Sequence, residues 1–471
     1  MQTVLTKYWL TIHLAVILFA SWGALLLPNV PRFVFLLWLS LMAVEAMVLL
    51  PTVRANETLA GARLRVFRSV VQDPFFYLGL FLLGVVVVQQ LNSGCALTYL
   101  SDADIWQYSL PPVPWAPSCV DAKDAMMYVS VFAACFVGGL ILRNSVGKTG
   151  KRFLLQGAAA LSGLVACVMI WQTLGGTQHS GVAASGCVIR TQGSFFGFWL
   201  VVGMGGYVDA VAREQRATGM LFVSGVLGNF AGMLFFSSAH MCVLYTVVAL
   251  LFAVYWLIYL NTLVSKAVQL KLFLMVLTVV TVGTVAMLFV FPHNALVPKI
   301  EAFFEFDKYW TALTETRNVR TEAALKIWKE HPWMGVGANG FFHYVGTVVE
   351  GKDWALIKND QSFVLNDSLQ FLCEFGVLGV SLLGAGVVAL IVPVCYRARL
   401  VWQQGDGKGN DGRLFLLRVS PYVVTGVSAA ILCGLESWLS NPFQSVALLT
   451  SWVFVMAILP SFLPATSRMA A

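Results

Sequence analysis

The sequence predicts an all-α polytopic membrane protein of about twelve transmembrane helices with one large polar loop. Three observations carry this. Of 471 residues, 58% are hydrophobic and 11% charged, against about 25% charged in a soluble domain, and the mean hydropathy is +0.78. Apolar stretches of about 20 residues, enough to cross a hydrocarbon core, recur along the chain. Lys and Arg alternate from one flank of these stretches to the other. The net charge of +7 suggests nucleic acid in a soluble protein, but here the positions of the charges explain it and no nucleic-acid partner is expected.

Taken in order, the apolar stretches cover residues 9–27, 33–51, 74–92, 126–142, 153–173, 194–211, 217–236, 242–260, 272–291, 372–394, 420–435 and 443–463. The first lacks a small-residue cleavage site and reads as a span rather than a signal peptide. Cations around Arg65, Lys148, Arg213, Lys266 and Arg399 share the side of the N-terminus. The short loops opposite hold only Arg32, Lys123 and Arg190. Both termini are therefore expected in the cytoplasm. Three regions follow: a membrane region of nine spans (1–291), the large loop (292–371), and a membrane region of three spans (372–471).

The nine cysteines show no CxxC spacing, so neither a metal nor a redox centre is expected. Cys135, Cys167, Cys242, Cys373, Cys395 and Cys433 lie in apolar spans and are expected to pack as small hydrophobes. Cys95 and Cys119 bracket the loop 93–125, where a disulfide is one outcome. That loop is stiffened by Pro111, Pro112, Pro114 and Pro117 and carries Asp102-Ala-Asp104, read as solvated carboxylates in preference to cation ligands. Glu45, inside the second span, is read as a neutral hydrogen-bonded group between helices. The glycine-rich segment 404–412 reads as a flexible linker.

The polar interval from Arg317 to Gly379 holds most of the readable chemistry. Ala323, Ala324, Ile327 and Trp328 recur at helical spacing, and Pro332 ends that helix. Gly335, Gly337 and Gly340 then mark a turn that admits positive φ or close approach. The interval closes on Asn366, Asp367 and Gln370 at the entrance to the tenth span.

These residues carry a resemblance. Arg317 followed by His331-Pro332-Trp333-Met334-Gly335-Val336-Gly337, then Asn366-Asp367, Leu369-Gln370, Leu372, Glu374 and Gly376, resembles the large periplasmic loop of the bacterial O-antigen ligase, O-antigen polymerase and O-oligosaccharyltransferase superfamily. The likeness covers roughly 317–380, with a weaker echo at Arg190, Gly193 and Phe195. It implies a glycosyltransferase-C-like enzyme of the bacterial inner membrane that needs no cofactor. Such an enzyme moves a glycan from undecaprenyl diphosphate to an acceptor hydroxyl on lipid A-core or a pilin-like protein. A polymerase joining repeat units is the near alternative. The chain departs at one position, where Leu365 stands in place of the family's functionally important His.

Transfer from a polyprenyl diphosphate requires cations on the leaving diphosphate, a base for the acceptor hydroxyl and in-line positioning. Arg317 and Arg190 are the cation candidates, because a guanidinium fork matches phosphate bidentately; Arg320 and Lys326 stand behind them. Arg320, Asn366 and Gln370 complete the expected substrate contacts. With Leu365 at the usual His position, His343 and Asp367 are the candidate bases. His331 is assigned to structure, while Trp333 and Trp354 suit either sugar stacking or interface anchoring. A transporter or flippase is the distant rival, and it predicts ligand sites at mid-membrane, often on broken helices.

Overall fold

In the computed structural model, residues 4–26, 33–53, 57–94, 97–100, 105–174, 186–237, 239–261, 306–349, 351–357, 363–403 and 419–463 are described. Among them, every expected apolar stretch is helical, since a backbone away from water has to satisfy its polar groups internally. The helices are α1 (Val4–Leu26), α2 (Phe33–Leu49), α3 (Leu59–Val71), α4 (Pro74–Leu91), α5 (Ala122–Asn144), α6 (Lys148–Leu174), α7 (Gly186–Ala212), α8 (Arg216–Phe236) and α9 (Ala239–Asn261). They continue with α10 (Phe306–Glu330), α11 (Gly340–Val348), α12 (Gly351–Ile357), α13 (Asp367–Gln403), α14 (Pro421–Glu436) and α15 (Val446–Ile458). Six of the described helices are long and apolar enough to cross a membrane, and four further apolar helices are shorter. The expected span at 272–291 lies outside the described residues.

Two compact units divide the chain, each assembled from separated stretches: 1–147, 311–391 and 436–457 in one, and 148–310, 392–435 and 458–471 in the other. In the first, α5 is the central helix, 83% buried. Its small residues let neighbours close in: a Cβ on Gly138 would lie 2.2 Å from the Phe454 ring. Arg143 near the end of α5 forms a bidentate pair with Asp73 at 2.7 and 2.8 Å and donates to the Ala389 carbonyl of α13 at 3.1 Å. Asp73 in turn caps α4 by accepting from the Phe75 N–H. By contrast α4 and the apolar window of α13 are each only 17% buried, yet they remain apolar. Exposed apolar faces of that extent suit a lipid solvent rather than water.

In the second unit, α6 and α8 approach to backbone distance. A Cβ on Gly225 would sit 2.3 Å from the Ala159 carbonyl oxygen, and Asn229 donates to Ser162 at 2.9 Å between the two helices. Small residues with one polar bridge are a usual way for helices to associate in lipid.

Several details depart from the sequence reading. Helix α3 was not expected: its thirteen residues carry Arg63, Arg65 and Arg68, so it is too short and too charged to register as a span. The loop 93–125 contains an antiparallel hairpin, β1 (Leu97–Leu100) and β2 (Ile105–Tyr108). It also contains a turn laced by Asn92, whose amide donates to the carbonyls of Val113, Ala116 and Pro117. Glu45 is exposed on α2, not enclosed between helices. Cys135, Cys373 and Cys433 are buried as expected, whereas Cys167 and Cys395 face outward. Cys119 is buried with its thiol 3.2 Å from the Gln89 carbonyl oxygen, while Cys95, Asp102 and Asp104 lie outside the described residues.

Candidate functional site

The site is built where the glycine-rich turn meets a break in α13. Helix α10 buries Ala323, Ala324 and Ile327 of the stripe its periodicity called for, leaves Trp328 part-buried with its indole N–H donating to Pro332 O at 3.2 Å, and ends one residue before His331-Pro332. At Gly376 the backbone of α13 takes φ 62°, ψ −169°, a conformation open in practice to glycine. The break orphans two carbonyls, of Cys373 and Glu374, and two N–H groups, of Val377 and Leu378. The turn satisfies all four. Val336 N–H donates to Cys373 O at 3.0 Å and Gly337 N–H to Glu374 O at 2.8 Å, while Val377 and Leu378 donate to Pro332 O and Trp333 O at 3.0 and 3.2 Å. The turn thus stands in for the missing helical partners, as buried backbone groups require. Contact this close leaves no room for side chains: a Cβ on Gly335 would lie 2.4 Å from the Glu374 backbone, and one on Gly376 would lie 2.3 Å from Trp333 O.

Beneath the turn lies a buried polar floor. Gln370 accepts from the Val364 N–H at 2.8 Å and donates to the Glu374 carboxylate through a short hydrogen bond. Tyr128 of α5 donates to the other Glu374 oxygen at 3.1 Å and lies 2.9 Å from Gln444 Oε1. Asp367 accepts from the Phe443 N–H at 3.0 Å, and its own N–H donates to Ser437 O at 2.9 Å. Gln370 and Glu374 are fully buried and Asp367 is 2% exposed. Asn366 caps α13, its Oδ1 accepting from the Leu369 N–H at 3.1 Å. Leu365 is buried with φ 61°, so the position where the resemblance places a histidine faces the core in this chain.

Above the floor the polar groups come into reach of solvent. Asn339 adopts a left-handed conformation, φ 56°, at the start of α11, and Asn is among the few residues that tolerate it. Its side-chain amide donates to Asp124 Oδ2 at 3.0 Å. One turn along α11, His343 Nε2 lies 3.1 Å from the same Asp124 oxygen. The His343 and Asp124 side chains are 24% and 27% exposed. Phe341 and Val345 on the opposite face of α11 are buried and fix its rotation.

The expected residues separate accordingly. Arg317 is half-buried, and its guanidinium donates to the Trp438 carbonyl at 2.5 Å. Arg320 is 3% exposed and donates to the Phe363 carbonyl at 2.9 Å. Arg190 belongs to α7, in the other unit, and its side chain lies outside what the structure describes. His343, Asp367, Arg317, Arg320, Asn366 and Gln370 all share the first unit. Sequence reasoning missed Asp124, Tyr128, Gln444 and Asn339. The first two sit in an apolar helix start and the third in a short inter-helix turn, where no local pattern sets them apart. Asn339 had one signal, its place directly after the glycine run.

Compared with known proteins, the chain matches no family model and no curated sequence.

Proposed function

We propose that the chain is a membrane glycosyltransferase that moves an undecaprenyl-diphosphate-linked glycan to an acceptor hydroxyl at the periplasmic face of the bacterial inner membrane. The observation that carries this reading is the His343–Asp124 pair, an imidazole joined to a carboxylate beside the turn that carries the family resemblance. His343 serves as the base that takes the acceptor proton, and Arg317 as a cation on the departing diphosphate. Asp367, Gln370 and Glu374 hold the floor. An apolar cleft of the same unit, lined by residues that include Phe75, Leu82, Phe136, Leu383 and Val453, suits the donor's polyprenyl chain. The acceptor is lipid A-core or a pilin-like protein, and repeat-unit polymerisation is the near alternative.

The break in α13 is the feature a transporter reading would claim, because transporters bind ligands on unwound helices. Here the freed backbone groups are occupied by the Pro332–Gly337 turn, which favours the transferase. The test is release of undecaprenyl diphosphate by the purified protein, given lipid-linked glycan and membrane acceptors extracted from the source cells. Release that depends on His343 and Arg317 supports the reading. No release by the wild-type protein overturns it.

A further inference from the structure

We infer that Asp124 is a positioning residue for His343, fixing the tautomer and direction of the ring that takes the acceptor proton. This rests on the reading of His343 as the base. A carboxylate can only accept hydrogen bonds, so a neutral His343 paired through Nε2 to Asp124 Oδ2 carries its hydrogen on Nε2. The lone pair then belongs to Nδ1, and Nδ1 receives the proton. The acceptor oxygen forms its bond to the anomeric carbon, the bond from that carbon to the diphosphate oxygen breaks, and its electron pair leaves with the diphosphate. The proton on Nδ1 passes to water after product departs. While His343 is protonated, the facing carboxylate stabilises the imidazolium, as the acid member of a catalytic triad does for its histidine.

Three features separate this pair from an incidental surface contact. Asp124 lies in the first turn of α5, whose apolar window is 83% buried, which makes it a rigid support. Asn339 donates to the same Oδ2 that His343 uses, so the carboxylate rotamer is held from a second direction. Asn339 in turn is set by its left-handed backbone, φ 56°, at the start of α11, a conformation that Asn tolerates. The chain of contacts therefore runs from Asn339 through Asp124 to His343.

The test uses the full-length protein in detergent or vesicles with lipid-linked glycan from the source cells, reading undecaprenyl diphosphate release and thermal unfolding together. Asp124→Asn is expected to lower kcat about 10- to 100-fold, the range for an orienting partner behind a functional histidine, with KM and unfolding temperature unchanged. Asp124→Glu recovers part of the rate. In a His343→Gln background, measured in single turnovers, adding Asp124→Asn costs nothing further, because a residue that acts through another is non-additive with it. Wild-type turnover in Asp124→Asn, with His343→Gln impaired, overturns this inference and leaves the transferase reading standing. So does a loss in Asp124→Asn that tracks lowered stability or adds fully to that of His343→Gln. A wild-type protein that releases no undecaprenyl diphosphate overturns the transferase reading itself.

Discussion

Two parts of the same polar segment behave in opposite ways. From Leu365 to Glu374, the side chains at Leu365, Asp367, Gln370, Cys373 and Glu374 are buried, and the polar ones bond to the chain itself. From Arg317 through His343, side chains that suit phosphate or proton chemistry, among them Arg317, Lys326, His331 and His343, stand open or partly open to solvent. Residues of the resemblance fall in both parts, yet the first turns most of them inward while the second leaves Arg317 partly open to solvent. A motif can therefore mark a scaffold as readily as a reaction centre, and burial decides between them. A carboxylate at Asp367 anchors the turn before α15, whereas one at Asp124 orients a ring.

The comparison yields a graded set of tests. His343→Ala is expected to have the largest effect on transfer, a loss of about 10²- to 10⁴-fold as for other general bases, read as undecaprenyl diphosphate release at unchanged abundance. Arg317→Ala follows, with a loss of about 100- to 1000-fold for one charge-stabilising donor; Arg317→Lys restores little, since an ammonium lacks the bidentate fork. Equal transfer by wild type and both alanine variants would move the chemistry elsewhere in the molecule.

On the scaffold side, Gly376→Ala forces a side chain into left-handed backbone against Trp333 O. A cost of at least about 1–3 kcal/mol is expected to show as lost folded yield and a lower unfolding temperature. Asn339→Gly keeps the left-handed backbone available but removes the amide that holds Asp124, so a loss of only a few-fold in kcat is expected. Smallest of all, Leu365→His in the His343→Ala background restores no transfer, because residue 365 faces the core. Rescue there would return the base to the position the resemblance names.

The helices were legible because lipid removes the choice: a stretch of about 20 apolar residues has to be helical. The amphipathic stripe of α10 and the stop at Pro332 were legible for the same local reasons. The role of the turn was only half legible. Gly335 and Gly337 announced positive φ, but nothing local says that their partners are the orphaned groups at Gly376, some forty residues on in the chain. Asp124 could not be read at all, since its meaning arises from packing α5 against α11. Asp367 was read as a candidate base and Gln370 as a substrate contact because residues at a span entrance look exposed on paper; the fold turns both inward.

The central claim is that the open part carries the reaction and the buried part carries the fold. It is tested most directly by measuring turnover and thermal unfolding side by side on purified His343→Ala and Asp367→Ala. The account predicts that His343→Ala loses transfer at unchanged unfolding temperature. Asp367→Ala strands the part-buried Phe443 N–H, at a cost of about 1–3 kcal/mol, and unfolds earlier while the fraction that remains folded keeps its turnover. Full activity in His343→Ala, with a stable but inactive Asp367→Ala, would contradict it.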